Sequence, residues 1–175
     1  MPDFEFIDVY DGNRQPTGAV IQREGAHLQA EEYVLYAYAL IENADGRFLA
    51  TRRSLDKHWA AGAWEVPGGG VLTGETTQAA IVREVGEEVG LDVSALDGGP
   101  VYSYQNTDAK HHDNYFADVF HFHVDVPETA VTLQKSEAID YAFLTWDEIT
   151  RLFDQDAFLH YARLKQALEA EGILS

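Results

Sequence analysis

Runs of alternating or continuous apolar residues, broken by turn-forming clusters, mark most of this chain, and helical spacing marks two stretches of it. Phe4 to Tyr10 and Thr17 to Arg23 have the pattern of strands. Asp11-Gly12-Asn13 between them favours left-handed turn conformations, so an N-terminal hairpin is predicted. Tyr33 to Glu42 (YVLYAYALIE) is dense in β-formers, and Asn43-Ala44-Asp45-Gly46 turns it into Arg47 to Arg52 as a second hairpin. Trp64 to Val66 reads as a short strand stopped by Pro67, and the glycines after it read as a loop suited to unusual backbone angles. Thr76 to Val89 carries helical spacing and stops at Gly90, a fitting left-handed cap. Strands are predicted again at Val101 to Asn106, Tyr115 to Val126 and Ile139 to Leu144. Thr145-Trp146-Asp147-Glu148 has the form of a capping box, and Ala157 to Glu171 has the length of a closing helix. No repeat or linker interrupts the chain, so residues 1–175 read as a single domain with α and β mixed.

The helix from Thr76 to Val89 is the informative element. At about 100° per residue, with Ala79 at zero, Glu87, Glu84 and Glu88 fall near 80°, 140° and 180°, a single acidic arc. Ala79, Val82, Val85, Gly86 and Val89 take the other half, which predicts a core-facing stripe opposite the acids. Carboxylates this close repel each other by a few tenths of a kcal/mol per pair, unless a cation sits among them. The i, i+3, i+4 spacing supplies the oxygen ligands that a hard divalent cation takes.

Composition narrows the choice of partner. With 46% apolar residues in 175, the chain can bury one real core, and no stretch approaches a membrane span. The first twenty residues hold no apolar run flanked by basic residues, so a soluble cytoplasmic protein is expected. The absence of cysteine removes disulfides, thiolate nucleophiles and cysteine-ligated zinc. A net charge of -18 repels the backbone of a nucleic-acid polymer. A small phosphorylated ligand remains, because bound divalent cations invert the local field.

Gly69, Glu75, Arg83-Glu84-Val85, Glu87-Glu88 and Gly90-Leu91 together match G-x5-E-x7-R-E-U-x-E-E-x-G-U, with U a bulky aliphatic. At average residue usage such a match arises about once in 10⁹ positions. This stretch, Gly69 to Leu91, resembles the complete Nudix box of the Nudix hydrolases. The resemblance implies an α/β/α sandwich with a mixed sheet, to which the N-terminal hairpin is added. It further implies that Glu84, Glu87 and Glu88 bind Mg²⁺ or Mn²⁺ and that Arg83 orients a box glutamate; by its i, i+4 spacing that partner is expected to be Glu87. Glu75 is expected to shape the loop or bind a further ion, and the Gly69 backbone to bring a carbonyl oxygen to a metal. The implied reaction is hydrolysis of a diphosphate bond in a nucleoside diphosphate linked to another moiety, with water attacking phosphorus. The general base differs within the family. Glu87 or Glu88 in the box, and Glu137 on a later loop, are the candidates, with the box favoured.

Arg52, Arg53 and Lys57 are the basic residues nearest the box and are candidates for clamping phosphate oxygens, against the alternative of a solvated rim. Trp59, Trp64, Tyr102, Tyr104 and Tyr115 are candidate stacking platforms, though each alone is more often core. His121 and His123 share a strand face, but no acidic motif accompanies them, nor His111-His112, and metal binding is not expected there. Asp8 to His27 resembles the N-terminal part of Nudix proteins of the isopentenyl-diphosphate isomerase type. That activity needs a catalytic cysteine, which this chain lacks, so isomerisation is set aside. The other rival is a Nudix-fold binding or regulatory module without turnover. A homodimer through the N-terminal hairpin or the sheet edge is expected by analogy.

Overall fold

Strand β3, Val34–Glu42, is apolar or aromatic at every position but its last, and it is covered on both faces. The computed structural model describes residues 4–96 and 98–175 and gathers the remaining elements about this strand. The strands β1 (Phe6–Tyr10) and β2 (Pro16–Gln22) form the expected N-terminal hairpin, a separate two-stranded antiparallel sheet. Beyond β3 come β4 (Phe48–Arg53), β5 (Trp64–Glu65), β6 (Gly68–Gly70), helix α1 (Thr77–Val89), β7 (Tyr102–Asn106), β8 (Tyr115–His123), β9 (Ala138–Leu144), and helices α2 (Trp146–Phe153) and α3 (Tyr161–Ala170). The main sheet is mixed. On one edge of β3, β8 runs parallel from Val34↔Tyr115 to Glu42↔His123, with β7 antiparallel beyond it.

The second hairpin departs from expectation. Its turn forms, Asn43 Oδ1 accepting from the Asp45 and Arg47 amides, but β3 and β4 pair only at Glu42↔Phe48 and then diverge. The short run from Trp64 to Gly70 fills the wedge, β5 pairing with β4 and β6 with β3, while β9 takes the other edge of β4. The glycines read as a loop are therefore a strand. A Cβ on Gly68 would lie 2.3 Å from the Ala37 carbonyl oxygen, so only glycine permits the approach of β6 to β3 at this point.

Alternation along β3 serves two cores. Ala37, Ala39 and Ile41 pack with Ile81, Val85 and Val89 of α1, while Tyr38 and Leu40 pack with Ile149 of α2 and Leu164 and Leu168 of α3. The result is the α/β/α sandwich. Both expected caps form: Gly90 ends α1 at φ 70°, and Thr145 and Glu148 close the capping box of α2. The closing helix starts at Tyr161 rather than Ala157, because His160 has φ 60° and the segment before it runs beside β5, with Trp64 bridging Phe158. Asp118, buried in β8, fastens three elements at once. It accepts from Arg14 at 2.9 and 2.6 Å, Thr77 Oγ1 at 2.6 Å and Ser103 Oγ at 2.7 Å. Among the described residues no helix is long and apolar enough to cross a membrane.

The buried face of α1 also corrects the wheel. It comprises Ala80, Ile81, Glu84, Val85 and Val89, whereas Gly86 is exposed, so the helix is turned by about a third of a turn from the expected orientation. Glu84 faces into the protein, beside the aliphatics, because Gly69 offers it space that any larger residue would fill.

Candidate active site

The wedge between β3 and β4 opens into a cleft of about 990 Å³ into which α1 turns Glu84, Glu87 and Glu88. The three carboxylates differ in environment. Glu84 is buried, and a Cβ on Gly69 would stand 2.5 Å from its Oε1. Burial raises the Glu84 carboxyl above the ordinary range, with Arg83 and Arg23 opposing the rise. Glu88 is pushed well above that range by burial first and then by the neighbouring charges of Glu84, Glu65 and Glu137. Among the described residues its carboxylate accepts one hydrogen bond, from the Gly68 amide at 3.3 Å. Glu87 stays exposed at the mouth, its side chain 54% accessible.

Arg83 does not chiefly serve Glu87, which it meets only at 3.5 Å. Its fork grips Glu75 through Nε at 2.8 Å and Nη2 at 2.9 Å, while Nη1 reaches Glu84 at 2.8 Å and Nη2 the Gly70 carbonyl at 3.0 Å. These bonds, led by the one to Glu75, hold the guanidinium still more firmly protonated. Glu75 also accepts from the Leu72 amide at 2.9 Å, and its carboxyl is held below the ordinary range, first by Arg83. Both Glu75 oxygens are thus engaged in locking the loop to the helix.

Of the basic residues expected at the substrate, Arg53 and Lys57 line the cleft and Arg52 does not. Arg52 sends its Nε to the Gly62 carbonyl at 3.0 Å, since strand alternation gives it the opposite side from Arg53. Arg53 donates to Glu65 at 2.8 Å and lies 5.4 Å from the centre of the Trp59 ring. Lys57 is ion-paired with Glu137, and both line the cleft. Trp59 and Tyr115 line it too, whereas Trp64, Tyr102 and Tyr104 pack into the core beneath α2 and α3.

Among the lining residues not foreseen are Arg23 and His160. Arg23, just past β2, donates to Glu5 at 2.6 Å and lies close over Gly70. His160 packs against Tyr38 with the rings tilted and their centres 4.6 Å apart, and burial, with Arg53 adding to it, pushes its pKa down to about 4. His111 and His112 also line the cleft.

A buried carboxylate and a half-buried one, both raised by desolvation, with a third at the rim, form a hard oxygen donor set suited to a divalent cation. The comparisons with known proteins agree with this geometry. The family model of the NUDIX domain matches residues 32–166. The chain is 32% identical over 160 residues to an uncharacterized Nudix hydrolase of Listeria monocytogenes, covering 91% of this chain and 90% of that one. It is 33% identical over 146 residues to an isopentenyl-diphosphate Delta-isomerase of Kocuria rhizophila, covering 79% and 77%. In fold it is similar to a crystal structure of a protein from Deinococcus radiodurans, with TM-score 0.74 at 22% identity over 98% of this chain and 100% of the other. The chain belongs to the Nudix hydrolase family, and as an enzyme it is of the Nudix pyrophosphohydrolase type.

Proposed function

We propose that the cleft hydrolyses a diphosphate bond in a nucleoside diphosphate linked to another moiety, with water attacking phosphorus. The observation that carries this reading is the gathering of Glu84, Glu87 and Glu88 in one cleft with Arg23, Arg53 and Lys57. Glu84, Glu87, Glu88 and the Gly69 carbonyl would hold Mg²⁺ or Mn²⁺. When bound, such an ion supplies Lewis acidity, lowering the pKa of the attacking water and offsetting charge on the phosphate oxygens.

The chain's own groups do the positioning. Arg83 fixes the Glu84 carboxylate from one side, and Glu75 fixes Arg83, so Glu75 acts on the loop geometry and not as a free ligand. Glu88 is the favoured general base, because it sits inside the cleft beside the Gly68 amide, whereas Glu87 stands exposed at the mouth. Glu137 is the second candidate, but its partner Lys57 must release it first. Arg23, Arg53 and Lys57 take the phosphate oxygens, and Trp59 with Tyr115 offers faces for a base. The chain is read as one catalytic domain working in the cytoplasm. A homodimer through the hairpin is supported by Phe4, Phe6 and Val20, all large apolar residues about half exposed there.

The test is a panel of nucleotide sugars, dinucleoside polyphosphates, ADP-ribose and oxidised nucleoside triphosphates at millimolar Mg²⁺ and alkaline pH, with the products identified. Cleavage of one class between phosphates supports the proposal. Binding without turnover across the panel would instead assign the chain as a nucleotide-binding module.

A further inference from the structure

A second group of ligating side chains lies outside the cleft, at the far end of the central strands. Glu42 ends β3 and pairs in register with His123, while His121 stands two residues earlier on the same face of β8. Glu42 is four residues past the cleft residue Tyr38, about 13 Å along the strand. His121 Nε2 is 2.7 Å from Glu42 Oε2, and His123 Nδ1 is 3.6 Å from the same oxygen. One ligand atom from each of Glu42, His121 and His123 lies within 4.8 Å of the other two. On its other side the His121 ring donates Nδ1–H to Glu171 Oε2 at 2.6 Å, just past the end of α3. The acidic partner missing from the local sequence around His121 and His123 therefore comes from β3, some eighty residues away, across the parallel register.

The bonding at His121 needs a cation. With Nδ1 donating to Glu171, the neutral ring leaves Nε2 as an acceptor facing a carboxylate oxygen, two acceptors at hydrogen-bond distance. Either a proton or a metal ion must lie between them. His121 is also nearly sealed, its side chain 1% accessible, so the ring orientation is set by packing and by Glu171. A carboxylate on the far nitrogen of a histidine is the arrangement that fixes the tautomer and strengthens a metal-binding imidazole. The negative end of α3 adds to the preference for positive charge at this place.

We infer that Glu42, His121 and His123 form a second metal site, distinct from the cleft, for a divalent ion of the Zn²⁺ or Co²⁺ class. Two imidazoles and a carboxylate with solvent in the remaining position match the tetrahedral preference of Zn²⁺. Ligand atoms at about 2.0–2.1 Å from such an ion stand about 3.3 Å apart. The pair now at 2.7 Å then opens by about 0.6 Å and the pair at 3.6 Å closes by about 0.3 Å. Binding at Nε2 displaces any proton held there, so uptake weakens as pH falls.

The test uses the full chain with Glu84→Gln, Glu87→Gln and Glu88→Gln, which removes the three box carboxylates of the cleft from competition. Titration with Co²⁺ alone is followed in the visible spectrum, where nitrogen-ligated ions of low coordination number absorb far more strongly than the aqueous ion. One equivalent should produce the band, Zn²⁺ should bleach it, and His123→Ala should abolish it. His123 is 71% accessible, so its loss does not endanger folding. Glu171→Gln should keep the band while weakening affinity roughly 10–100-fold. With the cleft intact, His123→Ala should leave hydrolysis unchanged. Absence of the band, or a band that survives His123→Ala, would overturn the inference and leave a proton between His121 and Glu42.

Discussion

Gly69→Ala isolates the contact on which the cleft depends. The added methyl would meet Glu84 Oε1 at 2.5 Å and Oε2 at 2.9 Å, whereas ordinary contact begins at 3.4 Å. The nearer oxygen must therefore retreat by almost an ångström, and with it goes the 2.8 Å bond from Arg83. Losing that charge-assisted bond costs about 1.5–3 kcal/mol. Alanine returns about 0.4–1 kcal/mol by restricting the unfolded chain, since Gly69 does not need a left-handed backbone. The net expectation is a loss of about 1–2 kcal/mol in urea unfolding. Turnover should fall more steeply, about 10²-fold, because ligands displaced by this distance no longer hold the reacting groups in line. A double-mutant cycle separates the cause: in a Glu84→Ala background the methyl has nothing to strike, and the stability cost should vanish. Equal costs in both backgrounds would show that Gly69 is needed for its backbone and would refute the reasoning.

Glu88→Gln should cut kcat by orders of magnitude and leave the fold intact, and Glu87→Gln should do likewise. Glu137→Gln should stay within about tenfold of wild type if the box supplies the base, and the reverse ranking would transfer that role to Glu137. In metal-free protein the raised carboxyl of Glu88 makes the native state bind protons more tightly than the unfolded one. Stability should then fall as pH rises from the ordinary carboxylate range through the raised native value, and Glu88→Gln should make this slope shallower, leaving the part due to Glu84, in urea midpoints measured with chelator. Asp118 behaves in the opposite sense. Burial alone would raise its carboxyl, but bonds from Arg14, Thr77 and Ser103 hold it lower, so its contribution is present above about pH 4 and disappears in acid. Asp118→Asn should cost about 2–3 kcal/mol, short of a fully sealed pair because the Arg14 side chain is 34% accessible, and should flatten the acid limb of a stability profile.

What could be read in the chain depended on the range of the interaction. Glu84, Glu87 and Glu88 were legible because one helix sets their spacing, and the caps at Gly90 and Thr145 because each is settled within a turn. The sandwich followed from the box resemblance, since the pattern alone reads only as α and β mixed. Helical spacing did not reveal that Glu84 lies inward, since the space it uses belongs to Gly69 on another element. Nor could it show that Arg83 turns back to Glu75 across a loop in preference to the next turn of its own helix. The glycines of β6 have no side-chain alternation, so a strand made of them is invisible to pattern. Arg23, His160 and the Glu42 to His123 pairing are products of topology, brought together by register between distant strands.

That parallel register between β3 and β8 also bears on how the protein is made. Closing a loop of roughly 80 residues must precede the reward of any β3–β8 bond, the signature of a slow folding step. During synthesis β3 and the box helix leave the ribosome long before Tyr115 does, with an apolar strand edge still unpartnered. Until β8 arrives the nascent chain presents that edge to its neighbours as a template for aggregation. Yield in a cell should accordingly respond to chaperone capacity and temperature more than to any change within the cleft itself.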